Sequence, residues 1–414
     1  MHEWRITLLK KIKHELNYLE LSNFIGAFIF VISLIPSIFY SIYIKLKGKK
    51  IWLICEDKSE ARDNGICFFS YLNSLSDCNI DTYYAIDYSS PDYSEVNKIG
   101  KVVRYGSVFH WVLYLCSEFN ISSQKNGRPD AAVGYVLERL PIMRKKFIFL
   151  QHGITLSYAK WLFYNNSKFR LFICGAKPEY EYVKANFGYP DDYIAYLGFS
   201  RFDAYLSCKK KTSQIVLMPS WREWISSKNE FSNIYEDTSD FTNTQYYKKY
   251  QELLNSDKLI NLLKNNNLTL IFYPHRNMQK YLKTFSTTSS NIIIADKEQY
   301  NIRKLLMESS VMITDYSSVA LDFAYMKKPV IYYQFDEARF REAQYQKGYF
   351  DYRGSGLGVV TNTLDDTINL LHRYINDGYN ISGYSSVENE KFFSVRDDKN
   401  SERIYEYLLS IRGK

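Results

Sequence analysis

Several familiar catalytic signatures are missing from these 414 residues. There is no Gly-x-Ser-x-Gly elbow, no Walker loop and no His-Glu-x-x-His pair, which removes the hydrolases, P-loop enzymes and zinc proteases built on them. No Asp-x-Asp pair occurs either, so nothing in the sequence calls for a catalytic metal. The six cysteines (Cys55, Cys67, Cys78, Cys116, Cys174 and Cys208) form no Cys-x-x-Cys spacing, and most sit in apolar runs. That usage fits reduced, buried thiols in a cytoplasmic domain rather than a disulfide frame. Zinc knuckles, helix-turn-helix signatures and RNA-binding aromatic motifs are also lacking, so nucleic acid is not expected as a partner. Internal repeats and low-complexity tracts are absent.

What remains is a globular composition, with 46% hydrophobic and 17% aromatic residues. The length allows two sizeable domains, each with its own core. A net charge of +8 points to anionic partners, either phosphates or an anionic membrane surface.

From Leu21 to Ile44 no residue is charged. This run is long enough for a bilayer core, which takes roughly 20 apolar residues. No small-residue cleavage site follows it, so it does not read as a removable signal. The preceding residues, Met1 to Glu20, predict an amphipathic helix with Leu8, Leu9, Ile12, Leu16 and Leu19 on one face. Both flanks are basic: Arg5, Lys10, Lys11 and Lys13 before, Lys45, Lys47, Lys49 and Lys50 after. The charge balance therefore sets no orientation. Pro36 interrupts the run and predicts a helical hairpin that dips into one leaflet and returns; a single span and a buried core helix are the alternatives. The Lys-rich edge would lie against anionic headgroups.

After Lys50, apolar strand-like runs alternate with amphipathic stretches. Strands are expected at Ile51–Cys55, Asp81–Ala85, Lys146–Leu150, Leu171–Cys174, Tyr193–Leu197, Gln214–Met218, Leu268–Tyr273, Val311–Thr314 and Val330–Tyr333. This is α/β alternation with mainly parallel sheets. The expected organisation is an anchor over residues 1–50, an N-terminal Rossmann-like domain over 51–205, a polar linker at 206–214 and a C-terminal Rossmann-like domain over 215–414. Ser226 to Tyr246 reads as a long loop or flap. Ligands in such folds sit at the carboxyl ends of strands, which suggests a cleft between the domains.

The informative polar residues fall at strand ends. Gln151-His152-Gly153 follows one strand, and a neutral imidazole there suits a general base, or else a structural turn. Tyr273-Pro-His275-Arg276 follows another; Arg suits bidentate phosphate recognition. Gly198-Phe-Ser-Arg201-Phe-Asp203 offers a local Arg–Asp pair with a substrate-facing side. Arg222 faces a cleft or pairs with Glu223. Asp63 and Asn64 lie in the loop after the first strand. Asp315-Tyr316-Ser317-Ser318 joins a buried strand to a helix expected over Val319–Met326. Hydroxyl caps and free N–H groups at such a helix start are suited to a phosphate.

In order, His152-Gly153, Gly198-x-x-Arg201-x-Asp203, Pro219-x-Trp221-Arg222, Pro274-His275 and Thr314-Asp-Tyr-Ser-Ser318, followed by Asp322 and Lys328-Pro329, resemble the CDP-glycerol glycerophosphotransferase family, the teichoic acid primases and polymerases of bacteria. The resemblance runs from about Ile51 to the C-terminus. It implies two Rossmann-like domains in a GT-B arrangement, at the cytoplasmic face of the cell membrane, peripheral or monotopic. It implies a CDP-glycerol or related CDP-polyol donor, a lipid-linked or polymer acceptor, and no separate cofactor. Ser317, Ser318 and His275 would hold the pyrophosphate, with Asp315, Tyr316, Arg276 and Arg222 around the donor, and His152 would be the base. A glycosyltransferase using a nucleotide sugar is the alternative enzyme, and a membrane scaffold the non-enzymatic one. Where the family often has Trp-His-Gly-Thr-Pro-Leu-Lys, this chain has Gln151-His-Gly-Ile-Thr-Leu156, with the nearby lysine at Lys160.

Overall fold

A computed structural model describes residues 21–75, 79–138, 145–206, 208, 212–226, 241–344, 346–379 and 386–412. The expected helix over Met1 to Glu20, residues 207 and 209–211 of the 206–214 linker and most of the 226–246 flap lie outside these residues. The chain divides into two compact units: residues 1–152, 167–173 and 408–414 form one, and 153–166 with 174–407 form the other.

The first sheet has seven strands: β1 (Lys50–Ile54), β2 (Ile80–Ile86), β3 (Lys101–Arg104), β4 (Phe119–Ser122), β5 (Phe147–Phe149), β6 (Leu171–Cys174) and β7 (Ile194–Tyr196). Their order is β3-β2-β1-β4-β5-β6-β7. The second sheet has β8 (Gln214–Leu217), β9 (Thr269–Phe272), β10 (Ile292–Ile294), β11 (Val311–Thr314), β12 (Val330–Tyr333) and β13 (Val359–Thr361), in the order β10-β9-β8-β11-β12-β13. The pairings recorded within both sheets are parallel. Helices cover both faces of such sheets, which is why central strands such as Val311-Met-Ile-Thr314 are buried at every position. Strand order reverses between β1 and β4 in one sheet and between β8 and β11 in the other. Those two switch points are where ligands of doubly wound folds bind.

The helices that matter below are α1 (Leu21–Leu46), α2 (Asn64–Ser74), α3 (Val108–Cys116), α4 (Ala131–Leu137), α5 (Gln245–Leu254), α6 (Ala320–Tyr325) and α7 (Asn400–Ser410).

The apolar run is not a hairpin. α1 continues through Pro36 for 26 residues. A mid-helix proline removes one backbone hydrogen bond and costs about 3 kcal/mol, so something must hold the two halves in line. Packing on the first unit does so on both sides of the proline. Phe30 meets Trp111 edge-on at 5.3 Å, Tyr40 meets Phe109 at 5.5 Å, and Ile44 joins the core cluster with Trp111 and Tyr114. The docked face carries the small and polar residues: Gly26, Ser33 and Ser37 are buried. A Cβ at Gly26 would come within 2.5 Å of Asp130 Oδ2, so only glycine allows this approach. Asn23 donates to the same carboxylate, which also caps α4. The opposite face is apolar and open, with Phe28 65%, Ile35 67% and Phe39 68% exposed. This reverses the usual polarity of a surface helix.

Candidate active site

In the first unit the site grows from the switch point. β1 runs out into Cys55-Glu56, and the loop beyond leads to Asp63, which caps α2 by accepting from the N–H of Asn64 at 2.8 Å. Asp63 also contacts His152 Nδ1 through Oδ2. A carboxylate there places the ring proton on Nδ1 and leaves the lone pair on Nε2. The His152 side chain is 65% exposed. The side-chain amide nitrogen of Gln124, just past the end of β4, packs 3.1 Å from Nδ1 without bonding to it in this tautomer.

The backbone aims this histidine. Gln151 sits in the left-handed region at φ 62°, unusual for a residue with a side chain. Its buried amide donates to the Ile173 carbonyl at 2.7 Å, and its own carbonyl accepts from Asn64 Nδ2 at 2.7 Å. Asn64 is fully buried. It braces the strand end rather than facing a substrate, which corrects the sequence expectation for that residue. Gly153, the first residue of the second unit, lies against Ser318: a Cβ there would meet Ser318 Oγ at 2.7 Å.

Behind Asp63 lies Glu56, which accepts from the Gly65 N–H at 2.6 Å, Tyr84 Oη at 2.7 Å and Ser123 Oγ at 2.8 Å. Burial, and then the nearby Asp63 charge, push its carboxyl from the ordinary 4.5 up to about 7. The folded chain thus holds this proton more tightly than the unfolded chain. The associated stability is full below about pH 4.5 and is lost as pH rises through about 7. Glu56→Gln mimics the protonated carboxyl. Its thermal midpoint should therefore fall less than the parent's between pH 5 and pH 8; parallel curves over that range would refute this account.

In the second unit the expected donor residues divide. Arg222 has no exposed surface. Its Nε donates to Asp336 Oδ2 at 2.7 Å, and its Nη2 lies 2.8 Å from Asp315 Oδ2. The rings of Tyr316, Phe340, Tyr246 and Trp224 surround it at 5.1 to 5.9 Å. Burial opposes its charge, but Asp336 and Asp315 outweigh that and hold it firmly protonated. Asp315, equally buried, also accepts from the Ser220 N–H at 2.8 Å, the Tyr316 N–H at 2.7 Å and Tyr250 Oη of α5 at 3.0 Å. Tyr316 stacks on Phe340 at 3.8 Å and bonds to Asp336 at 3.1 Å. Arg222, Asp315 and Tyr316 therefore sit in an internal ionic cage, not on a ligand surface. The cage ties together the exits of β8, β11 and β12.

Arg201 and Asp203 reach distant partners in the second unit. Arg201 grips Asp322 of α6 with Nε at 2.7 Å and Nη2 at 2.9 Å. Asp203 accepts from the N–H groups of Asn400 and Ser401 at 2.7 and 3.0 Å, capping α7. Both are buried or nearly so, and their work is to hold the second unit together.

Ser317, Ser318, His275 and Arg276 keep surface. Ser317 Oγ accepts from the Val319 N–H at 3.2 Å. The turn is tighter than expected: α6 covers only Ala320–Tyr325, and bonds from Ala320 to Ser317, Leu321 to Ser318 and Asp322 to Val319 close three-residue turns first. His275 Nδ1 accepts from the Asn277 N–H at 3.2 Å, which places its proton on Nε2 as a donor. Its ring stacks on Trp221 with centroids 6.2 Å apart, and its N–H is fixed to the Pro219 carbonyl at 2.9 Å. These groups flank the β8/β11 switch point. Glu56 and Gln124 were not identified from the sequence; Gln124 follows a strand, β4, whose Asn120 and Ser122 disguise it.

The family described as CDP-Glycerol:Poly(glycerophosphate) glycerophosphotransferase matches residues 38–410. The minor teichoic acid biosynthesis protein GgaB of Bacillus subtilis is 30% identical over 92% of this chain and 42% of its own length. The teichoic acid glycerol-phosphate transferase of Staphylococcus aureus is 27% identical over 31% of this chain and 33% of its own. The chain thus spans less than half the length of these curated relatives. Among solved structures, a variant of the wall teichoic acid polymerase TagF superposes with a TM-score of 0.62 at 15% identity, covering 95% of this chain and 98% of that one. That likeness bears out the expected α/β fold of two Rossmann-like sheets.

Proposed function

Because the chain belongs to the CDP-glycerol:poly(glycerophosphate) glycerophosphotransferase family, we propose that it moves a polyol phosphate, glycerol phosphate first among candidates, from a CDP-polyol to a hydroxyl of a lipid-linked or polymer acceptor. The observation that carries this reading is His152, which contacts Asp63 through Nδ1 and has its side chain 65% exposed. The acceptor hydroxyl gives its proton to His152 Nε2 as its oxygen attacks the β-phosphorus. The bond from that phosphorus to the bridging oxygen breaks, CMP leaves, and a phosphodiester forms. Such a transfer is helped most by positioning and charge neutralisation. Ser317 and Ser318, the His275 Nε2–H and Arg276 are assigned to the pyrophosphate, with the Arg222 cage fixing the loops that carry them. The reading needs no separate cofactor.

The test is to incubate purified protein and a membrane lipid extract with CDP-glycerol, CDP-ribitol and a panel of UDP- and GDP-sugars. Release of CMP from one CDP-polyol is expected. Release of a nucleoside diphosphate would overturn the reading in favour of a glycosyltransferase.

The membrane reading takes α1 as an in-plane anchor. A helix docked to its own unit from Asn23 to Ile44 presents only its outer face to lipid, which suits one leaflet. Phe28→Ser/Ile35→Ser/Phe39→Ser should lower vesicle binding at least tenfold with an unchanged thermal midpoint, because those side chains touch solvent and not the core. Undiminished binding would remove α1 from the membrane interface.

A further inference from the structure

Where α1 ends, the chain builds a basic cavity. The helix stops at Gly48 (φ +65°), with the N–H of Gly48 bonded to the Lys45 carbonyl at 3.0 Å and that of Lys49 to the Ile44 carbonyl at 3.1 Å. This closing motif occupies the last helical carbonyls and so blunts the negative end of the helix. Beside it lies a cavity of about 220 Å³ with Lys45, Lys49, Lys50, Lys145 and Lys146 in its wall and Glu118 as the one carboxylate. Glu118 is already engaged: Arg412 Nε reaches it at 3.1 Å and Trp52 Nε1 at 3.1 Å, while Lys50 stands 3.8 Å away. Lys49 pairs with Asp81 at 3.0 Å, a carboxylate that Lys101 shares at 2.8 Å. Lys145 is turned inward and donates to the Leu115 carbonyl. Burial pulls its ammonium down to about 8, and burial together with Arg170 lowers Lys146. Positive charge is in excess, partly desolvated, and next to the exposed Ile42, Tyr43 and Leu46 of α1.

We propose that this lysine cavity is a headgroup site that takes the phosphate of an anionic glycerophospholipid. The proposal rests on the in-plane reading of α1. A lipid is favoured over a soluble phosphate because Lys45, in the cavity wall, stands among the exposed Ile42, Tyr43 and Leu46 in the last turns of α1, so one molecule could place its phosphate at Lys45 and its acyl chains along the helix. Lys45, Lys50 and Lys146 supply the charge at the mouth; Lys145, deeper, supplies a donor already oriented by a carbonyl.

The experiment uses the full-length protein with vesicles of phosphatidylcholine alone or mixed with phosphatidylglycerol. The parent should prefer the mixed vesicles. Lys45→Gln/Lys50→Gln/Lys146→Gln should lose that preference by roughly tenfold or more, given the usual gain per basic residue at an anionic surface, while binding to phosphatidylcholine alone stays unchanged. A triple of exposed lysines elsewhere, Lys98→Gln/Lys177→Gln/Lys264→Gln, should keep the preference, and so should the parent in excess soluble glycerol phosphate. The proposal is overturned if the cavity triple keeps the preference, if the distant triple loses it equally, or if soluble glycerol phosphate abolishes it. A parent that ignores both kinds of vesicle overturns the in-plane reading itself, a separate failure from loss of selectivity alone.

Discussion

His152→Ala is expected to slow CMP release by roughly 10²–10⁴-fold, the usual worth of a positioned general base, while CDP-glycerol binding stays within about twofold. The separation follows from geometry. His152 is held by Asp63 on the first unit, whereas the groups assigned to the donor belong to the second. Asp63→Asn is the companion. It keeps shape and hydrogen bonding but no longer fixes the proton on Nδ1, so the turnover number should fall and its pH profile move, with little change in donor KM. Single-turnover kinetics with equilibrium binding of CDP-glycerol would decide. Lost donor affinity with intact turnover in His152→Ala would refute the base assignment, and an unchanged pH profile in Asp63→Asn would leave that carboxylate a helix cap only.

The second large effect is on stability. Arg222→Ala leaves Asp315 and Asp336 buried without their cation, and breaking a buried pair in this way costs about 3–5 kcal/mol. For a unit of this size that is a fall of roughly 6–20 °C in the thermal midpoint. Lys184→Ala, at a surface pair with Asp191, should leave the midpoint unchanged. Comparable midpoints for the two variants would show that the cage is solvated in solution. Activity alone is a poor guide here, because the cage ties the exits of β8, β11 and β12, and on the proposed function a loosened variant would lose donor binding even though Arg222 is buried.

Strands such as Val311–Thr314 and Val330–Tyr333 were legible because both faces of a parallel sheet are covered and leave an unbroken apolar run. β3, β10 and β13 are three or four residues long and sit at or near sheet edges, where length and burial give little pattern. β4 was hidden by Asn120 and Ser122, polar side chains in a strand that is buried at every position. A histidine at a strand end followed by glycine was enough to single out His152. A charged residue at a strand end reads the same whether it meets a ligand or a distant opposite charge, which is why Arg222, Asp315 and Arg201 were expected at a surface and are found inside. The proline in α1 suggested a break because local rules carry no knowledge of Trp111 and Phe109, the rings that hold the helix straight.

At about 1.5 Å per residue, the 26 residues of α1 make a rod roughly 39 Å long. A domain tethered at a point can swivel and rise from a bilayer by the slack of its tether. One gripped along a rod that lies in the interface can only turn about the membrane normal. On the proposed in-plane anchor, the tilt of the first unit, and with it the height of His152 above the lipid, would be a property of the fold. Encounter with a lipid-borne hydroxyl would then reduce to a search in two dimensions at a fixed altitude, and the reach of the acceptor headgroup, not the flexibility of the enzyme, would decide which hydroxyls are within range.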